Sequence, residues 1–325
     1  MNYYIVTGAA GFIGSRLVRG LNRRGVSEII AVDNLAHGDK FRNLAACEIA
    51  DYVDQAQLAA HLDSLEGAVE AVFHQGACSD TLETDGRYMM ENNYAYSRRL
   101  LDWCQDEEIP LIYASSAAVY GAGPKYREER ESERPLNIYG YSKFLFDQVV
   151  RQRLAQRSAQ IAGLRYFNVY GPNEWHKGRM ASVALHAYEQ LHSVGRVKLF
   201  AGADGYRDGE QRRDFIYVDD AVAVNLWFLE RRGVSGIFNC GTGRAQTFNR
   251  LAVAVINAVH GTQATLHDIV AKGLIEYVPF PPELAGKYQS FTEADLTRLR
   301  EAGYPGEFMT VEQGVAAYVK ELQGK

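Results

Sequence analysis

Residues 3–14 read YYIVTGAAGFIG, and residues 15–25 continue as SRLVRGLNRRG. The aromatic and β-branched run from Tyr3 to Thr7 suits a strand, and the apolar residues at helical spacing from Phe12 onward suit a helix. Between the two stand Gly8, Gly11 and Gly14. Strand, glycine-rich turn and helix are followed by a second strand, EIIAVDN, which brings Asp33 to its end about 20 residues further on. That succession is the pattern of a dinucleotide-binding turn. Glycines let the backbone approach a pyrophosphate, whose charge meets the unpaired N–H groups and the positive end of the helix. Asp33 would accept hydrogen bonds from an adenosine ribose, which suits NAD. Asn34 and Lys40 lie close behind, and Lys40 could neutralise the 2'-phosphate of NADP. On these residues alone both cofactors stay open.

Farther along, AVEAVFHQGA, IPLIYASSAAVYG and AQIAGLRYFNVYG are strand-like runs separated by helical stretches such as YMMENNYAYSRRLLDWCQDEE. The alternation predicts an α/β fold: a Rossmann-type doubly wound parallel sheet with helices on both faces and a ligand crevice beyond the carboxyl ends of its strands. After about Gly171 the pattern shifts to loops, helices and short strands, and RRDFIYVDDAVAVNLWFLE and GIFNCGTGRAQTF read as returns to the sheet. The expected division is a nucleotide-binding domain over residues 1–170, with returns near 213–240 and 289–305. A smaller mixed α/β substrate-binding domain over 171–325 is interleaved with it. FAGADGYRDGEQRRDF reads as a mobile loop, and EERESE, Glu128 to Glu133, as a solvated charged one. Met89, Met90 and the aromatics of NLWFLE read as core.

The 325 residues are 47% hydrophobic, enough to bury a large core. A formal charge of -5 without any basic run argues against a nucleic-acid partner. Cys47, Cys78, Cys104 and Cys240 lie far apart with no CxxC pair, which disfavours a disulfide framework or a zinc site and favours a reducing cytoplasm. No His/Cys/Asp cluster has metal-ligand spacing. With no basic leader before an apolar stretch and no run of about 18 apolar residues, a cytoplasmic, non-membrane protein is expected.

Near the middle, NIYGYSKFLFDQ places Tyr139 four residues before Lys143, on one face of a helix, and ASSAAVYG supplies Ser116. A phenol titrates near 10, and an adjacent ammonium would favour its ionised form and move it toward the working range. Alone, such a pair is more often a surface tyrosine and lysine. Combined with the glycine turn, these motifs resemble the extended branch of the short-chain dehydrogenase/reductase family. The resemblance implies that Tyr139 is the acid/base on a hydroxyl being oxidised and that Ser116 bonds the same hydroxyl. It also implies that Lys143 binds the nicotinamide ribose and lowers the tyrosine. Dehydratases of that branch usually carry an Asp-Glu pair after the active-site Ser/Thr; Ala117 and Ala118 stand here, which disfavours elimination.

GACSDTLETDGRYMMENNYAYSRRLLDWC, PLNIYGYSKFLFD, RYFNVYGPNEWHKGRMASVALH and PFPPELAGKYQSFTEADLTRLREAGY look like a narrower group within that branch. Its members invert C6 of an ADP-linked heptose on the way to the lipopolysaccharide core. This resemblance implies transient oxidation to a 6-ketone with tightly bound NADP, and a second acid/base group opposite the tyrosine, here Lys177. Lys177 would need a lowered pKa, from burial or a nearby cation. Implied cofactor positions are Gly8, Gly11, Phe12, Ile13 and Gly14 in the glycine turn and Asp33, Asn34 and Lys40 around the adenosine end. Gln55, the run Gln75, Gly76, Ala77, Cys78 and Ser79, and Asn92, Lys143, Val169 and Lys177 complete them. Implied substrate positions are Ser116, Asn168, Arg179, His186, Phe200, Ala201, Gly202, Ala203, Arg213 and Tyr288, with the Arg213 fork suited to a diphosphate.

Three departures from the group stand out: Gln55 where a lysine is frequent, which weakens selectivity over NAD, the large Arg179, and a longer loop over 203–211. His186, on an apolar helix, is more often a satisfied core histidine than a ligand. A homo-oligomer, a pentamer, is implied by the resemblance alone. Two other readings stand beside this one: another nucleotide-sugar epimerase, such as a UDP-sugar 4-epimerase with a single tyrosine, and a non-catalytic NADP-binding sensor or scaffold.

Overall fold

In the computed structural model, residues 2–281 and 288–324 are described; residues 282–287 of the PFPPELAGKYQS stretch lie outside them. β1 (Tyr3–Thr7) enters the glycine turn and α1 (Phe12–Asn22), which buries Leu17, Val18 and Leu21. β2 (Ile29–Asp33) is buried along its whole length, as befits a strand covered on both faces. There follow β3 (Asp51–Asp54), α2 (Leu58–Leu62), β4 (Val69–His74), α3 (Gly86–Met89), α4 (Tyr96–Asp106), β5 (Leu111–Ser116), α5 (Ile138–Arg153) and β6 (Ile161–Tyr166). Beyond β6 come β7 (Asn168–Tyr170), α6 (Val183–Val194), β8 (Val197–Phe200), β9 (Arg212–Tyr217), α7 (Val218–Glu230) and β10 (Gly236–Cys240). The chain closes with β11 (Ala245–Thr247), α8 (Phe248–His260), α9 (Leu266–Ala271), β12 (Ile275–Val278), α10 (Thr297–Glu301) and α11 (Val311–Gln323).

Seven strands pair in the order β10-β6-β5-β4-β1-β2-β3, every pair parallel. The order reverses between β1 and β4, so the crevice opens beyond Thr7 and His74, which are register partners. One face of the sheet packs on α1 and α7 through Leu17, Leu21, Val222 and Leu226. The other packs on α4 and α5 through Leu100, Leu101, Phe146 and Val150. A separate core joins α6, α8 and α11 to β8, β9 and β12.

The structure corrects several readings of the sequence. RRDFIY does not rejoin the large sheet. As β9 it pairs parallel with β7 and antiparallel with β11, while β10 is the strand that returns beside β6. Buried Asp214 fixes this placement by accepting from Thr242 N, Gly243 N and Ala294 N. AQIAGLRYFNVYG breaks into β6 and β7 at Phe167, whose N–H bonds Cys240 O. The long helix after Asp85 contains a π-helical turn, Met90–Ala95. β3, short and charged at the sheet edge, carried no strand signal.

EERESE is not a solvated loop at its two ends. Glu128 and Glu133 are buried; Glu128 Oε1 accepts from Asn239 N, and Glu133 pairs with Arg165 and Arg151. Met89 and Phe228 are buried in full, as read, whereas Met90 is only half-buried. Among the described residues the four cysteines are free, no group of three or more His, Cys, Asp or Glu could hold a metal, and no helix is long and apolar enough to cross a membrane.

Candidate active site

A cleft of about 1410 Å³ runs from the glycine turn past Tyr139 to Arg213. At its nucleotide end Gly8 has φ +66°, and a Cβ there would lie 2.7 Å from Gly76 Cα; a Cβ on Gly14 would lie 2.1 Å from Gly8 O. Only glycine lets the turns after β1 and β4 approach this closely. Gly11 caps α1 with no side chain, so the first-turn N–H groups of Phe12, Ile13 and Gly14 keep their affinity for an anion. The residues present therefore fit a dinucleotide diphosphate.

Asp33 is engaged differently from the expectation. It is 5% exposed; its Oδ2 accepts from Ala10 N at 3.0 Å, its Oδ1 from Asn34 N at 2.8 Å, and the Lys40 ammonium pairs with Oδ1. The carboxylate braces the glycine turn, and Lys40 meets its charge. Gln55 Nε2 donates to Asn92 Oδ1 at 2.9 Å, and both line the cleft. Gln75 accepts from Tyr166 OH and donates to Asn225. Gly76, Ala77, Cys78 and Ser79 continue the wall, and Cys78 N is held by Asn93 Oδ1 at 2.8 Å.

Asn137 caps α5 by accepting from Gly140 N, which fixes the turn that carries Tyr139. Ser116 ends β5, and Tyr139, Lys143 and Ser116 all line the cleft. Burial pushes the Tyr139 phenol up, and the nearby Ser116 hydroxyl pulls it back. The lowering expected from Lys143 is not the governing effect: its amine donates to Ala114 O at 2.8 Å, and burial takes Lys143 itself down to about 8 against the pull of Asp147.

Lys177, in the turn Trp175–Met180, holds its Nζ 5.3 Å from the centroid of the Phe12 ring. Burial pushes its amine below the usual lysine range, opposed by Glu174. Glu174 is itself buried and gathers Gly171 N, Ser182 N and Ser182 Oγ, which sets the backbone on both sides of Lys177.

At the far end Arg213 is 5% exposed, with its guanidinium 4.6 Å from the Tyr288 ring centroid and 5.7 Å from that of Phe248. Among the described residues no carboxylate pairs with it, and it lines the cleft as a buried cation. Asn168 and Val169 of β7, Phe200 and Tyr288 also line the cleft. Ala201, Gly202 and Ala203 do not: the chain turns away after β8, where Ala201 N bonds Val278 O and Gly202 N bonds Asp208. His186 faces the cleft rather than the core, with a third of its side chain exposed. Arg179 is exposed at the cleft edge and donates to Asp80 Oδ2 at 2.7 Å. Sequence reasoning missed Phe248, Tyr166 and His176 in the lining; their signal, a single ring at the end of a strand, in a turn or at a helix start, is too common to single out.

The fold and this site define a nicotinamide-dependent α/β enzyme class. Residues 4–241 match the model of the NAD dependent epimerase/dehydratase family, and the chain belongs to that family. It is 60% identical over 98% of both chains to ADP-L-glycero-D-manno-heptose-6-epimerase of Thiobacillus denitrificans. The solved ADP-L-glycero-D-manno-heptose-6-epimerase of Helicobacter pylori superposes with a TM-score of 0.82 at 28% identity, covering 100% of this chain and 97% of that one. UDP-glucose 4-epimerase of Thermus thermophilus, solved with NAD, gives 0.78 at 26% identity over 99% of each chain.

Proposed function

We propose that this enzyme inverts C6 of ADP-D-glycero-D-manno-heptose to give the L-glycero epimer, in lipopolysaccharide core heptose biosynthesis in the cytoplasm, through a transient 6-keto sugar. One observation carries the reading: Tyr139 and Lys177, two groups able to move a proton, line one cleft from separate elements, α5 and the turn after β7. Inversion with a fixed hydride position requires the sugar to present each face in turn, so its C6 oxygen meets a different partner in each epimer.

A nicotinamide dinucleotide held by Gly8, Gly11, Gly14, the Gln75–Ser79 turn and Lys143 would supply the hydride acceptor and donor. Tyr139 Oη takes or returns the C6 hydroxyl proton on one side, with Ser116 Oγ orienting that oxygen, and Lys177 Nζ does so on the other. Arg213 holds the diphosphate, helped by Tyr288, and so keeps the sugar at the reacting end while it turns. Lys40 removes the repulsion that Asp33 would exert on a 2'-phosphate, which supports NADP over NAD. Residues 1–170 would serve as the cofactor domain and 171–325 mainly as the substrate domain, in a homo-oligomer, a pentamer by resemblance to the heptose epimerases.

Proton NMR of the protein with ADP-D-glycero-D-manno-heptose in deuterated water tests the reading. Conversion to the L-glycero epimer without deuterium at C6 is expected, and Lys177→Met should cut turnover at least about 100-fold. A protein inert on this substrate yet active on UDP-sugars, with Lys177→Met harmless, would be the 4-epimerase instead.

A further inference from the structure

The face of α5 that bears Tyr139 and Lys143 continues at the same interval to Asp147 and Arg151. Asp147 is wholly buried and its carboxylate is fully engaged. Tyr113 OH donates to Oδ1 at 2.9 Å, and Ser115 Oγ and Arg165 Nε donate to Oδ2 at 2.9 and 2.8 Å. Arg165, also wholly buried, reaches on to Glu133, which holds Arg151. A buried ion network is weak evidence for stability, because the desolvation of each charge offsets most of the attraction. Its location is more informative. Tyr113 and Ser115, which bind Asp147, flank Ala114, whose carbonyl accepts from Lys143, and the next residue is Ser116.

We propose that Asp147 is a positioning residue of the site: its carboxylate pins α5 to β5 so that Tyr139 and Lys143 meet Ser116, and it is the counter-charge of the buried Lys143 ammonium. The inference rests on the reading of Tyr139, Lys143 and Ser116 as the reacting group. Around Lys143, the histidine and the tyrosines supply no negative charge near neutrality. His74 of β4 is taken down to about 3, and Tyr113 of β5, Tyr120 of the following turn, Tyr88 of α3, Tyr96 of α4 and Tyr139 are pushed up by burial. Arg165 of β6 is cationic, Glu91 of the π turn is exposed and paired with Arg99, and Cys78 lines the cleft.

Asp147→Asn keeps the shape and removes the charge. With lysine carrying ¹³C at Cε, and the Lys143 resonance assigned by its loss in Lys143→Met, the native amine should titrate at about 8. In Asp147→Asn it should titrate lower by about one pH unit, and the alkaline limb of kcat should move with it while KM changes little. Glu133→Gln breaks the same network one link farther from Lys143; it should lose stability and leave both titrations in place. An unmoved Lys143 in Asp147→Asn, or an equal shift in Glu133→Gln, overturns the proposal. If Asp147→Asn does not fold, the pair Asp147→Asn with Arg165→Met leaves no buried arginine facing an empty acceptor and is read in the same way. The NMR titration needs no substrate, so a failure of the heptose reading would show in the wild-type turnover and leave this test intact.

Discussion

His74 ends β4 with both ring nitrogens occupied, Thr7 Oγ1 lying 2.6 Å from Nδ1 and Ser97 Oγ 2.7 Å from Nε2. Burial, then the Lys143 charge, take it down to about 3, so the native ring is neutral while an unfolded one titrates near 6.5. The unfolded chain therefore binds the proton first as pH falls. The stability His74 gives is complete above about 6.5 and is lost progressively toward 3. Between about pH 7.5 and about pH 5.5 this amounts to roughly 1.4 kcal/mol. Urea unfolding at those two values should show the wild type losing about that much more than His74→Gln; an equal loss would mean the buried ring accepts its proton. At this scale the sequence discloses groups whose type announces chemistry, Ser116, Tyr139 and Lys143, and hides those that act through them. Glu133 reads as a solvated charge and Asp147 and Arg165 carry no signal, because nothing local says that the chain will bury them.

The seat of α5 against the turn at Ala117–Tyr120 is set by a missing side chain: a Cβ on Gly140 would lie 2.8 Å from Ala118 O and 3.2 Å from Pro135 Cβ. Gly140→Ala should push the start of α5 away from β5, at about 1–3 kcal/mol of overpacking. Because Tyr139 would then lose its contact with Ser116, kcat should fall about 10-fold or more with KM nearly unchanged. Gly86→Ala, where the nearest atoms are 3.9 Å away, is the control for adding a methyl to a helix start. A Gly140→Ala enzyme with wild-type kcat would show that the contact is slack. Strands and helices with clean periods were legible in the sequence: β1, α1, β2, β4, β5 and α5. The π turn at Met90–Ala95 was not, since it keeps helical composition while rotating Asn92 to the cleft and Asn93 into the core. Nor was the sheet that β9 joins, because pairing partners are chosen by distant residues such as Thr242 and Ala294.

Across the whole molecule, the helix that begins at the glycine turn is tied to the last helix of the chain. Arg16 on α1 is 3% exposed; its Nε and Nη2 donate to Asp219 of α7 at 2.8 to 3.0 Å, and its Nη1 to Glu321 of α11 at 3.2 Å. α11 in turn packs on α8, and a Cβ on Gly314 would lie 2.1 Å from Tyr170 OH, so α11 also presses on the strand next to the substrate end of the cleft. One arginine thus joins the elements that would hold the cofactor to those that would hold the sugar. Breaking a fully buried pair by removing one partner costs about 3–5 kcal/mol. Asp219 and Glu321 are partly solvated, so Arg16→Gln should cost less, about 2–3 kcal/mol, and Arg16→Lys should recover little because an ammonium cannot reproduce the fork. If the clamp makes the two regions unfold together, the wild type should show one denaturant transition by both tryptophan fluorescence and circular dichroism. Arg16→Gln should move its midpoint down for both probes. Transitions that separate in the wild type would show that the regions unfold independently, and a midpoint that Arg16→Gln leaves in place would show that they cohere through their apolar contacts and that the clamp is dispensable.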